Sequence, residues 1–244
     1  MKDCLLRVAE NKQLGKDLFK MVLAGDVSAI TAPGQFINIK LDGLFLRRPI
    51  SVNDADGKTV TIIYKVVGKG TEMLCKMEPG QELMVLTGLG NGFDPNAAGD
   101  KPLLIGGGIG TAPMYMLAKQ LLAMGKPVKV VMGFNGKDDV FYEEEFKALG
   151  CDVQVTTVDG SKGIKGFVTD ALPEDSTYFY ACGPEPMLKA VYKAAKMSGE
   201  LSFEERMGCG FGACMGCSCK TLTGYKRICK DGPVMKKEEI LWED

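Results

Sequence analysis

The N-terminal third of the chain alternates. In Gln35-Phe36-Ile37-Asn38-Ile39-Lys40-Leu41 the apolar Ile37, Ile39 and Leu41 are separated by polar Asn38 and Lys40. In Thr59-Val60-Thr61-Ile62-Ile63-Tyr64-Lys65-Val66 the residues Val60, Ile62, Tyr64 and Val66 share one face. A period of two with one apolar face predicts antiparallel strands. The turn pairs Pro33-Gly34 and Asp56-Gly57 predict their closure into a small β barrel over residues 1–98. A short helix is expected to start at Thr71, whose hydroxyl would cap the turn 72–77. After the loop-like stretch 88–95 the rhythm changes. Short apolar runs at 103–105, 128–132, 153–158 and 178–181 predict strands. Between the first two, Met114, Leu117, Ala118, Leu121 and Leu122 recur at the i, i+3, i+4, i+7, i+8 spacing of an amphipathic helix, and further helices are expected at 141–149 and 186–197. Strand–helix alternation over 99–200 predicts an α/β domain, a parallel sheet with helices on both faces. The pattern stops after Gly199. It leaves 201–244 as a small C-terminal segment, rich in Gly and Cys, that cannot build a core without a staple.

Composition narrows the chemistry. The 244 residues are 45% hydrophobic and 25% charged, ordinary for a globular protein. Lys plus Arg is 30 and Asp plus Glu is 31, so the basic excess of a nucleic-acid binder is missing. No apolar run approaches the roughly 18 residues of a membrane span. The start Met1-Lys2-Asp3-Cys4 lacks the apolar stretch of a secretory signal, and a cytoplasmic location without membrane contact is expected. There is no histidine, which removes imidazole acid–base catalysis and Rieske centres. There are nine cysteines, and Cys209, Cys214, Cys217, Cys219 and Cys229 crowd into one short stretch. In a reducing compartment such crowding reads as metal ligation.

Cys209, Cys214 and Cys217 spell C-x4-C-x2-C, with Cys229 following. This is the plant-type [2Fe–2S] spacing, which brings thiolates from one tight loop onto one cluster. Gly210, Gly212 and Gly216 permit the backbone angles such a loop needs. Zinc also accepts four thiolates and is the alternative, although its usual paired C-x2-C units are missing. Cys219 is a fifth candidate that could replace Cys217 or Cys229. The spacing favours Cys217 and leaves Cys219 beside the site. Cys4, Cys75 and Cys151 read as core thiols.

Two glycine turns follow strands. Gly106-Gly107-Gly108-Ile109-Gly110-Thr111-Ala112-Pro113 would let backbone N–H groups and a helix N-terminus meet a pyrophosphate. Thr111 stands where the strict dinucleotide fingerprint has its third glycine, and no acid closes the second strand. Beyond it, Lys137 and Asp138 point to opposite nucleotides. Cys182-Gly183-Pro184 ends another strand at the same carboxyl edge of the sheet, where ligands bind in such folds. Cys182 could equally be a small core residue.

Taken together these elements resemble the ferredoxin–NADP reductase superfamily, an FAD-binding barrel followed by a nicotinamide-binding domain. The resemblance rests on Arg48-Pro49-Ile50-Ser51, on Gly70-Thr71, on the Gly106 loop and on Cys182-Gly183-Pro184. It implies that Arg48, Pro49, Ile50 and Ser51 line FAD, with Arg48 on its pyrophosphate. Gly70 and Thr71 would touch the same phosphate, and Ile63, Tyr64 and Lys65 would run beside the flavin. Ile50 stands where relatives usually carry an aromatic residue. Gly106, Gly107, Gly108, Gly110, Thr111, Cys182, Gly183 and Pro184 would hold NAD, with Cys182 near the nicotinamide.

The tail from Glu205 to Cys217, closing with Cys229-Lys230-Asp231-Gly232-Pro233-Val234, resembles the electron-transfer subunits of NAD-dependent, type B dihydroorotate dehydrogenases. That likeness implies a [2Fe–2S] cluster on Cys209, Cys214, Cys217 and Cys229. It also implies a separate FMN-containing catalytic subunit, two copies of each chain in a heterotetramer, and electron flow to NAD+ in pyrimidine biosynthesis. No side chain here is assigned as acid or base. Subunits of ferredoxin–NAD(P) oxidoreductase or sulfide dehydrogenase are the nearest rivals; they carry Asp-Gly ahead of the first cysteine, where this chain has Arg206-Met207-Gly208. An oxygenase reductase would append a complete ferredoxin domain. A zinc-binding interaction protein is the alternative from another class, and it would be colourless. Arg206, Lys220, Lys226, Arg227, Lys230, Lys236 and Lys237 make the tail locally basic, either towards an acidic partner or as a solvated face.

Overall fold

Six antiparallel strands close a barrel in the computed structural model, which describes residues 1–242. They are β1 (Lys2–Gly15), β2 (Leu18–Ala24), β3 (Phe36–Ile39), β4 (Arg48–Ala55), β5 (Thr59–Lys65) and β6 (Glu82–Leu89), in the order β1-β2-β5-β4-β3-β6. The alternating residues do what their period requires. Ile37, Ile39, Val60, Ile62 and Tyr64 fill the barrel with Leu6, Val8, Met21 and Leu23. Ile63 points the other way, yet it is buried, because the second domain covers that face. The helix α1 (Lys69–Leu74) begins two residues earlier than expected, with Gly68 at its N-cap. Thr71 therefore sits inside the first turn, where its hydroxyl accepts the Val67 and Gly68 N–H groups at 2.9 and 3.2 Å.

The second domain carries β7 (Pro102–Gly107), α2 (Met114–Ala123), β8 (Lys129–Phe134), α3 (Glu143–Leu149), β9 (Asp152–Thr157), β10 (Ile164–Lys165), β11 (Tyr178–Cys182), α4 (Glu185–Ala194) and β12 (Gly199–Ser202). Apart from β10, a two-residue strand the sequence did not announce, its strands and helices fall within a few residues of the expected positions up to Gly199. There the expectation fails. Instead of leaving the sheet, the chain enters β12, parallel to β11. It then forms the hairpin β13 (Ser218–Thr221) and β14 (Gly224–Arg227) and returns as β15 (Val234–Lys236), antiparallel to β12. The sheet runs β10-β9-β8-β7-β11-β12-β15. Strands of three and four residues, covered on both faces, carry no alternation to read. Just past β15, the Lys237 ammonium donates to the Ala195 and Met197 carbonyls beyond α4 and lies over the Phe179 and Tyr192 rings. Among the described residues no helix is long and apolar enough to cross a membrane.

Directed hydrogen bonds join the domains. Asn53 on β4 is fully buried; its amide donates to the Ala112 carbonyl at 2.8 Å and accepts the Tyr142 hydroxyl at 3.2 Å. In the linker, the Asp94 N–H donates to Glu200 on β12 at 3.0 Å, and the Asp94 carbonyl accepts the Tyr180 hydroxyl at 2.7 Å. Asn91 reaches the tail: its N–H meets the Gly232 carbonyl at 2.7 Å, and its amide exchanges bonds with Val234 at 2.7 and 3.1 Å.

Burial pushes the Glu200 carboxyl up to about 7, against the pull of the Asp94 N–H. A raised carboxyl pKa gives stability that is complete below the unfolded value and is lost as pH climbs through the folded one. Glu200→Gln keeps the acceptor and removes the ionisation. It is expected to raise stability at pH 8 by about 1–2 kcal/mol and to change it little at pH 5. Thermal melts at the two pH values check this, and an equal effect at both would remove ionisation as the cause.

Candidate functional site

The cysteine loop folds around its own sulfurs. Gly210 and Gly212 take φ of +77° and +91°, and Met215 takes +60°, so the chain doubles back between the first three cysteines. The Cys209 sulfur accepts N–H groups from Phe211, Ala213 and Cys214 at 3.5, 3.2 and 3.4 Å. The Cys214 sulfur accepts from Cys209 and Gly216, and the Cys217 sulfur accepts from Cys229. N–H groups aimed at sulfur favour the thiolate. Burial raises the Cys209 thiol, but these bonds outweigh it and hold the thiol at about 6. Burial pushes Cys229 the other way, so its proton leaves only when a metal takes the sulfur.

Cys217 and Cys229 are buried, Cys209 is half-buried and Cys214 is exposed, which places a bound cluster near the surface. Arg227 braces the loop, gripping Asp231 through two nitrogens at 2.8 and 3.1 Å and donating to the Gly212 carbonyl at 2.9 Å. This donor set fits an iron–sulfur cluster. Among the described residues no three metal-binding side chains close around one point, and a two-iron cluster, with two thiolates to each iron, does not require it. Cys219 lies on β13 opposite Lys226. Part of the tail's basic charge is used internally, since Lys226 pairs with Glu239, Arg227 with Asp231, and Lys237 with carbonyls and rings.

The loop rests on the barrel. Asn38 of β3 donates to the Cys209 carbonyl at 3.4 Å. In register, Asn38 faces Pro49 of β4, with Arg48 opposite Ile39, Ile50 opposite Ile37 and Ser51 opposite Phe36. Arg48, Pro49 and Ile50 are only half-buried and Ser51 is exposed, so this end of β4 is open to a ligand. Gly70 makes room for the arginine: a Cβ there would stand 2.2 Å from the Arg48 Nε. Asn11 fixes that helix against the barrel through the Leu74 and Met77 carbonyls, both at 2.9 Å. The guanidinium and the first turn of α1 thus converge, the arrangement an anionic diphosphate needs. The Tyr64 ring turns into the barrel, stacked on Phe19, with its hydroxyl on Asn11 at 3.0 Å; only its main chain borders the outer face. Lys65 is exposed at the end of β5.

Lys65 also lines an open cleft between the barrel and the second sheet. Gly108, Ile109, Asn135, Asp138 and Asp139 face it from the nucleotide domain, and Lys16 and Asp17 from the β1–β2 turn. Sequence reading missed these turn residues, which carry no motif. The glycines divide their work. Gly108 has φ +50° with open space beyond it, whereas Gly107 and Gly110 sit tight against Met187 and the Cys182 carbonyl. Gly183 lies against the same methionine, and Pro184 precedes α4 as its N-cap. The glycine turn is one 3₁₀ turn, and α2 starts after Pro113, later than a fingerprint helix would. Thr111 is fully buried, and its hydroxyl finds no partner within the protein. It packs against Gly106, where a Cβ would stand 2.6 Å from the hydroxyl oxygen. Burial pushes the Cys182 thiol up to about 12, which keeps it neutral.

Comparison with known proteins agrees with this geometry. The iron–sulfur cluster binding domain of dihydroorotate dehydrogenase B matches residues 204–241, and the oxidoreductase NAD-binding domain matches residues 104–193. The dihydroorotate dehydrogenase B (NAD(+)) electron transfer subunit of Fusobacterium nucleatum is 44% identical over 257 residues, covering 98% of each chain. The protein of the same name from Lysinibacillus sphaericus is 46% identical over 250 residues, covering 96% of this chain and 97% of that one. The solved structure of an NADH-dependent reduced ferredoxin–NADP oxidoreductase superposes with a TM-score of 0.88 at 31% identity, covering 98% of this chain and 90% of that one. The chain belongs to the family of electron transfer subunits of dihydroorotate dehydrogenase B, oxidoreductases that combine an FAD-binding barrel, an NAD-binding sheet and a [2Fe–2S] segment.

Proposed function

We propose that this chain receives electrons from an FMN-containing catalytic subunit that oxidises dihydroorotate and passes them to NAD+, in a cytoplasmic complex with two copies of each subunit. The observation that carries this reading is the order of sites around the barrel. The cleft opens beside β2 and β5, Arg48–Ser51 lie on β4, and the cysteine loop rests on β3; these strands are neighbours in that order. A nucleotide, a flavin and a cluster bound there would stand in a row, with the flavin in the middle.

FAD exchanges hydride with nicotinamide and single electrons with an iron–sulfur cluster, so it supplies the link between two-electron and one-electron chemistry. The chain's own work is to hold and orient. Cys209, Cys214, Cys217 and Cys229 would ligate the cluster, and Arg48 with Gly70 and Thr71 would hold the flavin diphosphate. Pro49, Ile50 and Ser51 would line the flavin together with Ile63, Lys65 and the Tyr64 main chain. The Gly106–Thr111 loop and Cys182-Gly183-Pro184 would hold NAD, with Gly108 at the open side. No side chain of this chain is assigned to take protons from dihydroorotate. That step belongs on the partner: the substrate gives up two electrons and two protons, NAD+ takes one hydride, and one proton goes to solvent.

The test is anaerobic purification of this chain with its catalytic subunit. FAD and FMN are expected in equal amounts, with dihydroorotate-dependent formation of NADH. A preparation holding FAD alone, with no second polypeptide and no response to dihydroorotate, would overturn the reading in favour of a stand-alone reductase.

A further inference from the structure

One side chain of the barrel reaches the first cysteine of the loop. Asn38 is 1% exposed, and its Nδ2 donates to the carbonyl of Cys209, the first cysteine of the motif, at 3.4 Å. The next residue packs directly on the same amide: a Cβ at Gly210 would lie 2.3 Å from the Asn38 nitrogen. On its other side, Asn38 pairs in register with Pro49, between the Arg48 and Ile50 positions of β4. Its main-chain carbonyl accepts from Arg47 at 3.5 Å, which ties down the turn leading into that strand. The Asn38 Oδ1 is buried without a donor in the protein. A buried acceptor without a donor is unfavourable, and an aliphatic side chain would fill a barrel strand without that cost. What the amide adds is its bond to the Cys209 carbonyl.

We propose that Asn38 is a positioning residue for electron transfer, clamping the Cys209 arm of the cluster loop to the flavin strand and so fixing the gap between the two carriers. This rests on the reading of Cys209 as a cluster ligand and of Arg48–Ser51 as the flavin strand. A group that holds a ligand's backbone acts on the metal through that ligand, and loss of such support commonly weakens function without removing the metal. The rate at which an electron crosses between fixed carriers falls steeply with their separation. A loop released from Asn38 keeps its four thiolates but loses its fixed distance.

The experiment uses the anaerobically purified complex with Asn38→Ala and Asn38→Leu, the second of which keeps the volume while removing the bond. Iron content, FAD content and melting temperature are expected to stay near wild type. Flavin bleaching by NADH is expected to keep its rate, while the electron paramagnetic resonance signal of the reduced cluster appears about tenfold more slowly. The g-values of that signal are expected to shift in both variants. Unchanged kinetics and an unchanged spectrum would overturn the proposal. So would a parallel loss of iron, FAD and stability in both variants, which would make Asn38 a purely structural residue. A wild-type complex that itself lacked iron or FAD would instead sink the underlying functional reading.

Discussion

Cys214→Ser is expected to give a folded, yellow protein that has lost its iron. Cys214 is the exposed member of the four, and its sulfur accepts the N–H groups of Cys209 and Gly216 within the loop. Replacing it leaves the buried pair Cys217 and Cys229 in place and leaves the core intact. A hydroxyl is a poor substitute for a thiolate at iron, so partner-dependent turnover is expected to fall by about a hundredfold or more. NADH oxidation with an artificial dye is expected to persist, because neither the nucleotide cleft nor β4 touches Cys214. Iron analysis and electron paramagnetic resonance decide the matter. A full cluster signal in this variant would remove Cys214 from the ligand set and move Cys219 into it.

Arg48→Ala is expected to produce the second large effect, on FAD retention. One charge-assisted bond to a diphosphate contributes about 1.5–3 kcal/mol, which is roughly tenfold to a hundredfold in affinity. Gly70→Ala is expected to do the same without touching the charge, because its methyl group would occupy the space of the Arg48 Nε, 2.2 Å away. Since both changes act through one guanidinium, the double variant is expected to bind FAD no more weakly than Arg48→Ala alone. Titration of the apoprotein with FAD, followed by flavin fluorescence, measures all three. Additive losses would mean that Gly70 serves the ligand independently of the arginine.

Much of the molecule was legible where a repeating physical constraint acts over several residues. The barrel strands β3 and β5 announced themselves because one side of each faces a core and the next residue does not. The stripe from Met114 to Leu122 did so for α2. β1 carries the same signal in Cys4, Leu6 and Val8, all buried, yet its outward residues and its length of 14 diluted the alternation. The cluster loop was legible as chemistry, since five cysteines within a histidine-free chain leave few other uses. What stayed hidden is what depends on pairing across the sequence. β12 and β15 are too short to show a period, so the tail looked detached when two of its strands belong to the nucleotide sheet. Asn38 read as the polar half of an alternating strand, and only the seating of Cys209 on it gives the amide a task. Arg227 counted only as a basic charge of the tail until the fold set it between Asp231 and the Gly212 carbonyl.

The pairing of β12 with β15 bears on how the protein matures. Phe203 donates to the Pro233 carbonyl at 2.9 Å directly beside the Ser202–Val234 pair, so the cysteine segment is a loop whose two ends are sewn into a sheet edge. The strands that close it pack with Phe179, Leu201 and Met235. Both ends of the cysteine segment are therefore fixed by sheet hydrogen bonds and apolar packing. The loop is thus expected to take up its cluster between fixed ends, with Cys214 on the exposed side and Cys217 and Cys229 on the buried side.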